Sequence, residues 1–445
     1  MKTQIRKVLF LGALLLMIGS PGFAEGTTWS LDDCIRYALD HNIQVQKANL
    51  SNDRNSLLYQ QAKDNRLPSV SATVRQNFGW GKSVDSQTGE YGNLSGSNST
   101  NLSLSSSVTL YNGSRLNNAI KQNELNLESS KYDSESVKES VEISILNAFL
   151  QVLYAEEEVK NAQKQIEATT EQLTLAKERL DLSVISQSDY LQIASELASE
   201  KLTLANANSQ YTITKVSLMQ LMELPVDKNF TVKEPDLNKL LNSTQMPDAA
   251  EIYTLALKQK PQIKSAELTT NSSEIDVKQA QAQLLPQLSM DAGITSGYSS
   301  AYSSYNFSDQ LTNSISPSVG LTLSIPVFQK RQVKSDISIS KIGVEDARLD
   351  EQNTKNQLRK DIEQACTDYI SALSQYQANI ENNQSVKASY SLAEEKYKQG
   401  LMNSVDFLFE KTKLIQAESQ LLQSKYNLIF SNKILDYYKG NPLTL

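Results

Sequence analysis

Between Ile145 and Leu180 the apolar and small positions recur in steps of three and four without a break. Ile145, Val152, Val159, Ile166, Leu173 and Leu180 form a column of large side chains. Ala148, Ala155, Ala162, Thr169 and Ala176 form a column of small ones. A 3.5-residue period makes helices supercoil around one another, and large beside small lets backbones approach closely without voids. No proline falls between Asn112 and Leu182, and the only glycine there, Gly113, stands at the very start. The pattern predicts a single helix over 113–182, which at about 1.5 Å per residue would reach roughly 100 Å. A tip over 183–188 and a returning helix over 189–224, closed by Pro225, follow.

The stretch before this helix carries other periods. Ser30 and Asp33 have the spacing of a capping box and open a helix over 30–66 that stops at Leu67-Pro68. The period then becomes two. Val70, Ala72, Val74, Phe78 and Trp80 alternate with Ser71, Thr73, Arg75 and Asn77, which predicts a strand over 67–80. A loop of Gly, Ser, Asn and Asp runs to about Asn98. A second strand, 101–112, puts Leu102, Leu104, Val108 and Leu110 on one face and Ser103, Ser105, Ser107 and Thr109 on the other. Apolar-out, small-polar-in strands of this length suit a β-barrel wall around a wet lumen. Taken alone, they suit a periplasmic β-sandwich equally well.

After a linker over 225–247 the order recurs. A helix over 248–284 ends at Leu285-Pro286. Strands follow over 285–298 and 315–328, with Leu288, Met290, Ala292 and Ile294, then Val319, Leu321, Leu323 and Ile325, on their apolar faces. A loop holding Tyr302, Tyr305 and Phe307 joins them. Phe328 falls 217 residues after Tyr111. A second long helix over 330–399, a tip over 400–405, a helix over 406–439 and a tail over 440–445 complete the chain. The second seam runs through Ile362, Tyr369, Tyr376, Asn383, Tyr390 and Tyr397, beside Ala365, Ala372, Asn379, Val386 and Ala393. The first repeat thus occupies 25–224 and the second 248–439. Four strands are too few to close a barrel, since the smallest membrane barrels have eight. The chain must share its barrel with copies of itself, and closed cyclic symmetry is the economical solution.

Composition narrows the function. Lys2, Arg6 and Lys7 precede the apolar run Val8 to Ile18, and Gly22-Phe23-Ala24 ends in a small-x-small site. Residues 1–24 therefore read as a signal peptide. Its removal takes the formal charge from −7 to −10, which argues against nucleic acid as a partner. No later stretch approaches 18 apolar residues in a row, which excludes helical membrane spans but not β spans. The two cysteines, Cys34 and Cys366, read as unpaired helix-face residues. With one histidine, His41, they cannot make a zinc site of the usual kind. No phosphate loop, nucleophile elbow or HExxH motif is present. Nothing calls for a metal, a cofactor or an enzymatic reaction.

The Ser30-Leu31-Asp32-Asp33 helix start, the two Leu-Pro strand entries and Leu110-Tyr111-Asn112-Gly113-Ser114-Arg115 are weak signals singly. Joined by the twin tips, Leu182-Ser183-Val184-Ile185-Ser186 and Gly400-Leu401-Met402-Asn403-Ser404, each followed by its aspartate, they are specific in order. Over essentially its whole mature length the chain resembles the TolC-type outer-membrane efflux protein family. The resemblance implies an α+β membrane protein. It would be a homotrimer sharing a 12-stranded outer-membrane β-barrel, four strands per chain, continued by a long α-helical coiled-coil tunnel in the periplasm of a Gram-negative bacterium. It also implies a role as the passive exit duct of a tripartite efflux system. A periplasmic adaptor (a membrane fusion protein) and an inner-membrane transporter of RND, ABC or MFS type would be the partners, with outer-membrane lipid around the barrel. A trimeric coiled-coil adhesin or structural envelope protein is the alternative, although its barrel should stand once, at the C-terminus.

By the same resemblance Val184, Ile185, Ser186, Leu401, Met402 and Asn403 are adaptor-contact candidates. The competing reading is two ordinary helix–helix turns with their apolar residues packed inside. Asp189 and Tyr397 match a bonded pair of the periplasmic gate, and Asp406 matches one acidic position. Tyr397 equally continues the tyrosine column of the seam. The chain departs from some members in having Met402 where an arginine can serve the gate and Phe409 where a second acid can stand. Phe78, Trp80, Tyr111, Tyr298 and Phe328 are the expected aromatic girdles of the barrel.

Overall fold

The computed structural model describes residues 28–84, 87–236, 246–302 and 304–445. The expected signal peptide lies outside them, as does the 237–245 part of the expected linker. Two compact units are present, and neither follows one sequence half. The first takes residues up to 46, 137–259 and 359–445; the second takes 47–136 and 260–358.

In the first unit, strand β1 (Thr28–Trp29) pairs in parallel with β4 (Thr231–Val232), which lies inside the expected linker. Trp29 meets Tyr37 edge-on at 5.4 Å and lies 6.1 Å from Phe230. The helix expected over 30–66 is two helices, α1 (Leu31–His41) and α2 (Ile43–Asp64). Asn42 breaks it with extended backbone, and its buried amide donates to Leu221 O at 2.8 Å while its Oδ1 accepts from Gln44 N–H. The expected capping box at Ser30 and Asp33 is formed. The long helix α3 (Arg115–Asp181) runs 67 residues and returns through α4 (Gln187–Leu221). The hydrophobic core gathers Leu31, Cys34 and Ala38 of α1, Ile145 to Leu153 of α3, and Leu218 to Met222 at the end of α4. Tyr426 and Ile429 of the last helix, α9 (Ser404–Lys439), complete it. Cys34 and Cys366 are buried and free, and burial pushes the Cys34 thiol up to about 12. His41 stacks on Tyr37.

In the second half of the chain the expected 248–284 helix is again two. They are α5 (Ala249–Gln259) and α6 (Pro261–Ala282), because Pro261 forces Lys260 out of the helical region. The second long helix, α8 (Gln332–Lys398), also has 67 residues.

The second unit holds one antiparallel sheet of β2 (Ser69–Val84), β3 (Tyr91–Tyr111), β5 (Gln287–Ser299) and β6 (Ser316–Ser324), in the order β2-β3-β5-β6. β3 starts well before the expected residue 101, since its Gly/Ser-rich opening pairs with β2 out to Tyr91 opposite Val84. β6 stops short of the expected 328 because Pro326 lacks a ladder donor. A short helix, α7 (Phe307–Asn313), stands where only a loop was expected; Asn306 caps it by accepting from Asp309 N–H at 2.8 Å.

Register makes the sheet two-faced. Ala72, Leu104, Ile294 and Pro317 stand in one cross-strand row, and Val108, Met290 and Leu321 in another. The opposite face carries Ser71, Ser105, Gly293 and Ser318, then Thr73, Ser103, Thr295 and Ser316. Val70, Val74, Val319, Leu321 and Leu323 are exposed, so nothing among the described residues covers the apolar face. Among the described residues β2 and β6 each lack a second neighbour. Where β3 turns into α3, Gly113 and Ser114 both take φ +67°. A Cβ on Gly113 would come within 2.9 Å of Ala282 O and of Leu285, so only glycine fits there.

Candidate functional site

The two tips are built alike. α3 ends with Ser183 at φ +60°, its N–H donating to Leu180 O at 2.8 Å, and with Val184 N–H donating to Arg179 O at 2.8 Å. α8 ends with Gly400 at φ +75° and the matching bonds from Gly400 to Tyr397 O and from Leu401 to Lys396 O. A left-handed residue followed by backward bonds satisfies the last carbonyls of a helix. Side-chain caps open the next helices. The Ser186 hydroxyl accepts from Asp189 N–H at 3.1 Å and donates to Asp189 Oδ2 at 2.7 Å. Asn403 Oδ1 accepts from Asp406 N–H at 2.8 Å, and its amide donates to Asp406 Oδ2 at 2.9 Å. The two tip aspartates are therefore helix-capping residues first. Val184 and Leu401 are exposed with Leu182 and Val405, while Ile185 and Met402 are half-buried.

Contacts that sequence spacing does not reveal tie the two hairpins together. The buried Ser404 hydroxyl donates to Asp189 Oδ1 at 2.5 Å and lies as close to the Gln192 amide oxygen. This bond, then those from Ser186, hold the Asp189 carboxyl below its ordinary value. Arg179 donates to Tyr397 O at 3.2 Å and to Lys398 O at 2.5 Å, placing a cation on the C-terminal carbonyls of α8. The Tyr397 ring stacks on Phe407 at 4.6 Å, and Arg179 lies 5.9 Å from its centroid. Burial raises the Tyr397 phenol, and its hydroxyl has no hydrogen bond among the described residues. Asp189 and Tyr397 are thus brought to one place without being bonded to each other. Asp406 is exposed, and Phe409 lies open beneath the Lys413 ammonium.

Farther from the tips, Lys411 of α9 donates to Glu200 of α4 at 2.6 Å and to the Thr169 hydroxyl of α3. Both charged side chains are 5% exposed. Thr169, the one polar member of the small column, takes a second hydrogen of the buried ammonium. The small column is sealed in the chain at Ala148, Ala155, Ala162, Thr169 and Ala176. The large column is sealed at Ile145 and Val152 but only half-buried at Val159, Ile166, Leu173 and Leu180.

Of the girdle residues, Phe78, Trp80, Tyr111 and Phe328 are exposed. Phe78, Trp80 and Tyr111 lie on strands, Trp80 beside Gly96, and Phe328 lies beyond the end of β6. Tyr298 packs at 5.0 Å against Phe307 of α7. Among the described residues no group of three or more His, Cys, Asp and Glu could hold a metal ion. Nor is any helix there long and apolar enough to cross a membrane.

The outer membrane efflux protein profile matches residues 34–223 and 252–438. The pyoverdine export outer membrane protein OpmQ of Pseudomonas putida is 24% identical over 72% of this chain, a stretch that spans 65% of the relative's length. Among solved structures, CusC superposes with a TM-score of 0.80 at 16% identity, over 94% of this chain and 93% of its own. The Campylobacter jejuni CmeC outer membrane channel superposes with a TM-score of 0.75 at 19% identity, over 93% and 87%.

Proposed function

Since the chain belongs to the outer membrane efflux protein family, we propose that three copies of it form the passive outer-membrane exit duct of a tripartite export system. One observation carries this reading: a four-stranded sheet whose apolar face is uncovered, whose other face is small and polar, and whose two edges are open. An uncovered apolar face of this size is unstable in water but stable against lipid. Lipid in turn forbids unpaired strand edges. With an even number of strands per copy, β2 of one chain meets β6 of the next in antiparallel sense, so a ring of copies removes every edge. Three copies give twelve strands, and the two halves of each chain act as a duplicated unit.

The half-buried Ile166, Leu173 and Leu180 supply the matching seam in the helical tunnel, where a second copy covers them. Such a duct makes and breaks no bonds and holds no energy source, so an inner-membrane transporter must drive it. The exposed Val184 and Leu401, with Ile185, Ser186, Met402 and Asn403, form the surface for a periplasmic adaptor. Asp189 and Tyr397 serve the periplasmic gate. The unpaired Tyr397 hydroxyl suits a bond to Asp189 of a neighbouring copy, and Asp406 lines the same end. Exposed Phe78, Trp80, Tyr111 and Phe328, with Tyr298, form the aromatic belts.

The test is native mass spectrometry and bilayer conductance of the detergent-extracted protein, together with photo-crosslinking from Ile185 and Met402 in living cells. Trimers that conduct, and capture of an adaptor from both positions, are expected. A monomer, or a trimer without conductance, would overturn the duct; capture of self alone would overturn the adaptor surface.

A further inference from the structure

A cavity of about 630 Å³ opens at the hairpin end of the sheet, where β5, the following loop and α7 meet β3. This volume lies in the range of small-molecule sites, roughly 300–1,000 Å³. The cavity belongs to the polar side of the sheet. Asn101 stands opposite Gly297 and Ser99 opposite Ser299, in the same alternation as Ser103 and Ser105. Gly297 forms the floor, where a Cβ would come within 3.2 Å of Asn101 Oδ1.

Two groups of side chains have different tasks here. Gln310 is fully committed to the loop: its Oε1 accepts from Ser299 N–H, and its amide donates to Tyr302 O and Tyr305 O at 3.0 Å. Ser314 bonds both backbone groups of Gly297. The frame is therefore held by Gln310 and Ser314, which leaves other polar groups lining the cavity uncommitted. Among the described residues Ser99, Asn101, Asp309 and Asn313 use no side-chain hydrogen bond, and Tyr302 and Tyr305 are 70% and 61% exposed beside them.

From this arrangement we infer that the cavity is a binding site for a neutral oligosaccharide. Among the described residues no basic side chain lines it and one carboxylate does, so anionic ligands are repelled. A single exposed carboxylate is screened too strongly to select an organic cation. Two amides and a hydroxyl, each able to donate and accept, match the vicinal hydroxyls of a sugar ring. Open tyrosine faces cover its apolar C–H face. The binding itself does not depend on the duct reading, whereas the source of the saccharide does: a surface glycan would enter from outside, an exported one through the tunnel.

The experiment is saturation-transfer NMR on the intact detergent-solubilised protein with maltotriose, cellotriose, chitotriose and mannotriose. Tetrapropylammonium and glucose 6-phosphate serve as contrasting probes. At least one trisaccharide should bind saturably. Tyr302→Ala with Tyr305→Ala should weaken it at least tenfold, while Tyr302→Phe stays within about threefold. Both tyrosines are exposed, so the chain should fold in either case. No trisaccharide binding above that of the double alanine variant, or binding of tetrapropylammonium alone, overturns the proposal. Conductance in a planar bilayer then separates the sources. Block from the side of the hairpin loops marks a surface glycan, and block only from the side of the helix tips marks an exported one. A protein that binds the sugar but never conducts would fail as a duct and stand as a saccharide site.

Discussion

At the scale of single residues, the most consequential contact is the buried Lys411–Glu200 pair with Thr169. Two charges withdrawn from water are held by each other and by one hydroxyl, and Glu200 Oε2 has no partner among the described residues. Removing one member leaves the other charged and buried, which costs about 3–5 kcal/mol; replacing both with apolar residues is close to neutral. Lys411→Met should therefore lower the midpoint of denaturant unfolding markedly, and Lys411→Met with Glu200→Leu should regain most of the loss. Equal midpoints for the single and double variants would show that the pair is not coupled. Neither residue stood out in the sequence. They lie 211 positions apart, each surrounded by other charges on a polar helix, and only the packing of α4 against α9 singles them out. Thr169 was legible as a departure from an alanine column, but not its reason.

At the scale of elements, the tips are where local and tertiary rules meet. Ser186-x-x-Asp189 and Asn403-x-x-Asp406 are capping patterns visible in the sequence, and both caps form. The Ser404–Asp189 bond that joins α9 to α4 follows from no spacing rule. It makes the tip sensitive to acid. A carboxyl depressed in the folded state contributes stability that is present above its unfolded pKa, about 4, and is lost as pH falls through the lower folded value. Acidification below the ordinary carboxylate range should loosen α4 from α9 at the tip while leaving it intact at neutral pH. Ser404→Ala should move the Asp189 titration, followed by NMR of the side-chain carboxyl, back toward about 4. An unmoved titration would mean that Ser404 does not hold the carboxylate. The breaks at Asn42 and Pro261 were missed for the opposite reason. Apolar periodicity runs through a one-residue interruption, and the cost is recovered by a tertiary bond from the Asn42 amide that periodicity does not register.

At the scale of the whole molecule, the faces of the sheet decide what surrounds it. Lysine on a lipid-facing barrel position costs about 2–4 kcal/mol near the bilayer midplane, whereas a lumen position tolerates it. Val319→Lys should therefore deplete assembled protein from the outer-membrane fraction, and the adjacent Ser318→Lys should leave the yield near that of the parent chain. Equal yields would remove the assignment of the apolar face to lipid. The seam argues in the same direction. Small residues are sealed by the chain itself, but the large column is only half-buried from Val159 to Leu180, leaving side chains that the proposed ring of copies would cover.

What the sequence determined by itself is whatever repeats at short range: the 3.5-residue seam, the period-two strands, the caps, the helix stop at Gly400 and the order of elements in each half. Those patterns arise from backbone geometry and burial over a few neighbouring residues, so they are written locally. The tertiary structure alone decided the strand order β2-β3-β5-β6, the strap of β4 on β1, the cavity beside α7, and the links made by Arg179, Ser404, Lys411 and Glu200. Each of these joins groups dozens to hundreds of residues apart. Such a pairing depends on which surfaces remain unsatisfied once the long helices and strands have formed, and no local period records that.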